Sequence, residues 1–356
     1  MLYRECGVYR TSYAEDMVLF PIPLDRWGMV VLAGLAFLVV PFVASPYWLG
    51  SIIVPFLIFS LAALGLNFLT GYAGQLSLGH AGFMAVGAYA GLILYARYDA
   101  PLLLSLLGAG LVAAGVGVLF GSPCLRIKGF YLAVSTLAAQ FIIEWVITHV
   151  KWISGGVYAT IDTPPLRIAG WVLDSPGEKY YLTLVVVVAL TLFGKNLVRS
   201  RIGRAWMAIR DRDVAAEVMG ISLFRYKLVA FAVSSFYAGV AGGLISFTYY
   251  AAANIEEFHL LVSFKLLGMI IIGGMGSILG SYLGAGFITL LPIFISQGLG
   301  ALGKAAGRLV TTDVLANVEL MVFGALIVLF LIVEPLGLAR LWKRLKDDLR
   351  LWPFPY

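Results

Sequence analysis

Residues 27–96 read WGMVVLAGLAFLVVPFVASPYWLG (27–50) and SIIVPFLIFSLAALGLNFLTGYAGQLSLGHAGFMAVGAYAGLILYA (51–96), without one Asp, Glu, Lys or Arg. A spanning helix needs about 20 apolar residues, so this stretch of roughly 70 holds several. Pro46, Tyr47 and Trp48 mark an interfacial turn between Pro41 and Gly50, where aromatic side chains suit the headgroup belt. Thr70–Ser77 is the next weak point, which places spans near 27–44, 51–70 and 78–96. Further apolar stretches follow at about 101–121, 130–149, 180–197, 228–250, 262–279, 281–297 and 316–333. The reading is an all-α polytopic membrane protein with eight to ten transmembrane helices; the lower figure applies if segments re-enter. The turn joining the 262–297 pair, at 277–281, holds no charge.

Composition agrees. Of 356 residues, 61% are hydrophobic and 12% charged, against roughly a quarter charged in soluble domains, which excludes a soluble enzyme. Mean hydropathy is +0.94. The net charge of +6 reads as a topology signal rather than a nucleic-acid footprint, because Lys and Arg gather in alternate loops. Arg4, Arg10 and Arg26, then Arg126 and Lys128, then Lys195 to Arg212, then Arg340 to Arg350 fall on one side, while the intervening loops are mixed or acidic. Both termini are therefore expected to be cytoplasmic. The organisation is an N-terminal arm over 1–26, a transmembrane domain over 27–335 with a periplasmic loop at 150–179 and a cytoplasmic loop at 199–222, and a tail over 336–356. The arm has no apolar run of signal-peptide type, so the chain is expected to begin at Met1.

No catalytic constellation emerges. A phosphate-binding loop is missing from the sequence, the histidines at 80, 149 and 259 lack zinc-site spacing, and Cys6 and Cys124 read as ordinary thiols. No metal or cofactor is assigned to this chain. Glu144 and Lys265 lie in apolar stretches but near span ends, within reach of the interface. Small-residue spacings at Gly87/Gly91, Gly117/Gly121, Gly239/Gly243 and Gly276/Gly280/Gly284 read as helix packing. Gly71–Gly91 and Gly273–Gly286 share a composition that suggests an internal echo.

Two stretches carry functional candidates. From Asn67 to His80, glycines alternate with polar groups, and Gly74, Gln75, Ser77 and His80 are candidates to line a pathway through opened backbone. The competing reading is a polar turn at the membrane face. In the basic stretch 199–222, Asp213 before Val-Ala-Ala-Glu-Val-Met reads as a helix start and Gly220 as its stop. The tail from Gly337 has apolar residues at 338, 341, 342, 345, 349 and 352 with Lys and Arg between them, the pattern of an interfacial helix.

Four motifs resemble the LivM-type permease subunits of ATP-binding-cassette importers for branched-chain and related hydrophobic amino acids. They are GYAGQLSLGHAG (71–82), RIKGFYLA (126–133), GRAWMAIRDRDVAAEVMG (203–220) and IGGMGS (272–277). The third is similar to the coupling loop of such importers, although Val214 stands where an opening Glu is usual. The resemblance implies that Arg204, Asp211, Asp213, Ala215, Ala216, Glu217 and Gly220 form the ATPase-coupling helix and its lead-in, with Ala216 on the docking face. It also implies a second LivH-like permease, two cytoplasmic ATPases that use ATP and Mg, a periplasmic solute-binding protein and the bacterial inner membrane. The periplasmic loop, with Ser154, Gly155 and Gly156, is the docking candidate for the binding protein. Alternatives are importers of the same class for urea, short amides or aromatic and other carboxylates, and an ion-coupled secondary transporter.

Overall fold

The computed structural model describes Ser12 and residues 23–125, 129–154, 160–168, 170–305, 312–334 and 336–351. Most of the N-terminal arm, Arg126 and Lys128 lie outside the described residues. Helix α1 starts at Pro23 and continues through the π-helical turn Leu35–Val39 to Val43. The chain turns at Ala44 and Ser45, where Ser45 Oγ caps the next helix by accepting from the Trp48 amide. Then follow α2 (Pro46–Tyr72), α3 (His80–Tyr98), α4 (Leu102–Cys124) and α5 (Phe130–His149). The 150–179 loop contains α6 (Lys151–Ser154), β1 (Thr160–Asp162) and the small hairpin β2 (Arg167–Ile168) and β3 (Trp171–Val172).

Helix α7 (Pro176–Arg199) opens with a capping box: Ser175 Oγ accepts from the Glu178 amide and the Glu178 carboxylate accepts from the Ser175 amide. Two short helices, α8 (Arg201–Asp211) and α9 (Asp213–Val218), lead to the long α10 (Leu223–Thr248). After it come β4 (Ala252–Asn254), paired antiparallel with β1, then α11 (Leu260–Gly273), α12 (Ile278–Ala305), α13 (Thr312–Val333) and α14 (Gly337–Leu351). The α8–α9 segment lies between the end of α7 and the start of α10 and so marks one end of the bundle. The β1–β4 pair marks the other.

Each apolar segment expected from the sequence is helical over most of its length. Six described helices are long and apolar enough to cross a membrane, or up to seven if the bent pair Met321–Val333 and Gly337–Asp348 is one span. The remaining segments miss that standard for identifiable reasons. The apolar part of α1, Trp27–Val43, is one of the shorter helices. Helix α3 carries His80 and Arg97 at its two ends, and α11 has 14 residues because Gly274 stops it. The break between α11 and α12 therefore falls at 274–277, ahead of the expected 277–281.

Helix α10 runs through the middle, packed on α2, α3 and α4, and glycines set those distances. A Cβ on Gly242 would stand 1.9 Å from the Met84 carbonyl oxygen, and one on Gly87 would stand 2.1 Å from that of Gly239. Backbones this close gain dispersion contacts, the main attraction available between helices in lipid. The outward faces of α4, α5 and α7 remain apolar, with Leu103, Leu107, Phe141, Trp145 and Val185 exposed. That all-round apolarity suits lipid.

Gly242→Leu is expected to abolish the monodisperse folded chain in detergent. Gly115→Leu, where a Cβ meets nothing within 4 Å, should leave thermal stability by fluorescence-detected size exclusion unchanged. Equal stability of the two variants would contradict the packing described.

Candidate functional site

Two interruptions of helical backbone meet at the α8–α9 end. The first follows α2, whose last turn, Phe68–Tyr72, is π-helical, a local form frequent at functional sites. Residues 73–79 then run without helix, yet they are largely buried: Gln75 is 9% exposed, Ser77 0% and His80 1%. His80 Nε2 donates to the Ala62 carbonyl at 3.1 Å. Ala62 lies ten residues before Tyr72, about 15 Å back along α2 at 1.5 Å per residue. The polar stretch therefore climbs into the bundle and is not a turn at its surface. Two other helices, α5 and α11, hold its upper end. Thr136 Oγ1 accepts from the Leu78 amide, Ser263 Oγ accepts from the Ala81 amide, and Ser263 donates to Gln140 Oε1 at 2.8 Å. Gln140 in turn donates to Glu144 at 2.9 Å. Ser77 Oγ and His80 Nδ1 have no partner among the described residues.

The second interruption, 274–277, lies against the end of α2. Asn67 Nδ2 donates to the Ser277 carbonyl at 2.8 Å and to Ser281 Oγ at 2.9 Å, while its Oδ1 accepts from the Gly276 amide at 2.8 Å. Asn67 is fully buried and all its hydrogen-bonding capacity except one lone pair is used. Gly276 has φ +75, a conformation L residues rarely adopt, and a Cβ on Gly71 would stand 2.3 Å from the Gly276 nitrogen.

Helix α8 docks on this junction. Ile202, Ala205, Trp206 and Ile209 recur at helical spacing and turn inward, and Ser200 Oγ caps the helix by accepting from the Ile202 amide. Trp206 is fully buried, its Nε1 donating to the Tyr226 carbonyl at 2.8 Å. Arg210 Nη1 donates to the Gly71 carbonyl at 3.0 Å, satisfying an oxygen that the end of α2 leaves unpaired. Helix α9 ends at Gly220 with φ +85; the Ile221 amide reaches the Ala216 carbonyl at 3.0 Å, closing a left-handed stop. Between α8–α9 and residues 73–76 lies a cleft of about 480 Å³, walled also by Gly129, Leu132 and Lys227. It mixes Arg210, Asp211, Arg212 and Asp213 with Ala73, Leu76 and Ile209. Among the described residues no His, Cys, Asp and Glu side chains gather in threes to hold a metal.

Residues 48–331 match the family model described as branched-chain amino acid transport system / permease component. The chain belongs to this permease family. The branched-chain amino acid permease LivM of Escherichia coli is 36% identical over 244 residues, covering 62% of this chain and 57% of that protein. The chain thus spans little more than half the length of that relative. The autoinducer 2 import permease LsrC of Klebsiella pneumoniae is 29% identical over 178 residues, covering 46% of this chain and 47% of that one. The solved PsaBC of Streptococcus pneumoniae in complex with Fab covers 89% of this chain and 99% of that chain at 12% identity and a TM-score of 0.42.

Within this permease, Gly74, Gln75, Asp211 and Asp213, expected to serve two separate roles, line one cleft. Ser77 and His80 lie deeper in the bundle, and Arg204, Ala215, Glu217 and Gly220 are exposed. Two expectations need correction. Ala216 is 2% exposed; it faces inward, so Arg there would unseat α9 and not crowd an outer face. Ser154 is fully buried and does not present a docking surface, while Gly155 and Gly156 lie outside the described residues. The outer face of α9 and its C-cap carries Val214, Val218 and Met219 instead, at 68%, 84% and 80% exposure, beside exposed Ala215 and Glu217. The sequence reading gave no site role to Asn67, Trp206 or Arg210. The spacing of Ile202, Trp206 and Ile209 was the available signal for α8, whereas nothing in the sequence distinguishes Arg210 from its basic neighbours.

Asn67→Leu keeps the side chain's bulk but strands the Gly276 amide, while the Ser277 carbonyl keeps the Ser281 amide as a partner. A buried unpaired group costs about 1–3 kcal/mol, so a clear fall in melting temperature is expected by thermal unfolding in detergent. An unchanged melting temperature would mean that the junction does not hold the breaks together.

Proposed function

We propose that this chain is one transmembrane subunit of an ATP-binding-cassette importer that moves branched-chain or related hydrophobic amino acids by alternating access. The observation that carries this reading is α9. A six-residue helix is seated through Ala216 and ended by Gly220, and it offers Val214, Val218 and Met219 outward. A small exposed apolar face on a rigid support suits a groove in a partner protein. The proposed occupant of that role is one of two cytoplasmic ATPases, which use ATP and Mg. A second LivH-like permease completes the pathway, and a periplasmic binding protein delivers the solute. Arg204, Asp211, Asp213, Ala215, Glu217 and Gly220 form the coupling segment and its lead-in. Gly74, Gln75, Ser77 and His80 belong to the pathway, where irregular backbone and polar groups are tolerated inside a membrane bundle.

The chain lies in the bacterial inner membrane with both termini cytoplasmic, in keeping with the alternation of its basic loops. The α14 helix, with Leu341, Trp342 and Leu345 exposed, rests on the cytoplasmic leaflet. ATP binding and solute each bias a two-state equilibrium through differential affinity. The similarity to LsrC supports a second reading of the same class, in which the binding protein selects another solute such as urea, a short amide or a carboxylate. A secondary carrier is disfavoured. Glu144 already accepts from Gln140, and the Lys265 ammonium sits 5.9 Å from the centre of the Phe59 ring.

Purified from its native membrane in mild detergent, the chain is expected to bring down an ATPase and a second permease. Reconstituted with its binding protein, that complex should show ATP-dependent leucine uptake. Val218→Asp should deplete the ATPase from the purified material while leaving the permease folded. A chain that emerges alone, under conditions that preserve a known importer complex, would overturn the proposal.

A further inference from the structure

Arg210 touches both helix breaks at once. Its Nη1 donates to the Gly71 carbonyl at 3.0 Å in the first break and lies 2.9 Å from the position a Cβ would take on Gly276 in the second. Its Cγ lies 3.2 Å from the corresponding position on Gly74, where the irregular stretch begins. The far side of the guanidinium is held by Asp211 Oδ1, with Nε at 3.0 Å and Nη2 at 2.9 Å. The planar fork makes these contacts from separate nitrogens at once, as a lysine ammonium could not in the same geometry. The backbone carrying Arg210 is fixed, because Trp206 one turn earlier is fully buried and bonded to Tyr226.

From this geometry we infer that Arg210 is a positioning residue that passes movement of the α8–α9 segment to both broken spans together. Displacing α8 pulls on the Gly71 carbonyl directly. The pull reaches the second break through the Asn67 carboxamide, whose two donors and acceptor bind Ser277, Ser281 and Gly276. The ends of α2 and α11 and the starts of the irregular stretch and α12 then move as one unit. The wall of the cleft formed by Gly74 and Gln75 moves with them. Without Arg210, α9 can still receive a partner, but its displacement reaches the breaks only through the looser packing of Trp206 against Phe68. Coupling between two binding sites typically changes an affinity by a factor of about 5 to 150, which sets the scale of the effect.

The inference rests on the importer reading, and the test separates the two. The complete complex is purified with its ATPases and second permease and reconstituted in proteoliposomes with binding protein, and leucine uptake and ATP hydrolysis are measured on the same preparation. Failure of the parent complex to couple the two activities counts against the importer reading. With a coupled parent, Arg210→Ala is expected to assemble normally and to keep its hydrolysis within about twofold, while uptake per ATP falls about fivefold or more. Arg210→Lys, which retains the charge but not the planar fork, should fall between the two. A parent-like ratio of uptake to hydrolysis in Arg210→Ala overturns the inference. So does failure of both variants to assemble, since Arg210 would then act as a packing residue only.

Discussion

The carboxamide of Asn67 joins two places where helical backbone stops inside an apolar bundle. Hydrocarbon supplies no hydrogen bonds, so every interrupted turn must find partners within the protein. Here each break supplies part of what the other lacks. Gly276 gives its amide to Asn67, Ser277 and Ser281 take the two amide protons, and Gly71 lacks a side chain so that the backbones can approach. The Gly71 carbonyl is answered by Arg210. With this junction closed, residues 73–79 can run unwound into the bundle, and α3 can begin beside the middle of α2.

The junction also decides where α8 can sit. Phe68, the first residue of the π turn, lies edge-on to Tyr237 of α10 with ring centres 5.1 Å apart, and 6.4 Å from the Trp206 ring of α8. Tyr237 donates onward to the Leu190 carbonyl of α7 at 2.7 Å. The end of α2 is therefore gripped by α7, α8 and α10, the elements that bracket the short exposed helix α9. On the far side of the second break, a Cβ on Gly274 would stand 2.6 Å from the Leu336 carbonyl, next to the start of α14. Anything that moves α8 acts on a compact hub, not on a single helix end.

Much of this architecture could be read from the sequence, since lipid imposes apolarity over whole segments and interrupts it only at turns. Asp213 and Gly220 delimited α9 correctly because caps and left-handed stops are local chemistry. Small-residue spacings named the helix faces that touch, as at Gly87 and Gly239. What escaped depends on distant contacts. The break at Gly274 carries no charge and so no turn signal. The inward direction of Ala216 depends on how a six-residue helix is seated, which its own pattern is too short to fix. The stretch from Asn67 to His80 was ambiguous between turn and pathway because its depth is set by Ala62, Thr136 and Ser263, remote in sequence. Arg210 looked like one more basic residue of a cytoplasmic loop, and only the carbonyl of Gly71, 139 residues away, gives it a distinct place.

If coupling segment and breaks form one mechanical unit, their separation should survive the transport cycle. Spin labels at Arg201 on α8 and at Met275, both exposed, in a chain whose Cys6 and Cys124 are replaced by serine, report that separation by double electron–electron resonance. The account predicts one narrow distance distribution, unchanged between the nucleotide-free and ATP-trapped complex, while the distance from either label to a third at exposed Leu104 on α4 shifts. An Arg201–Met275 distance that changes between the two states would contradict it, because α8 would then move without carrying the second break along.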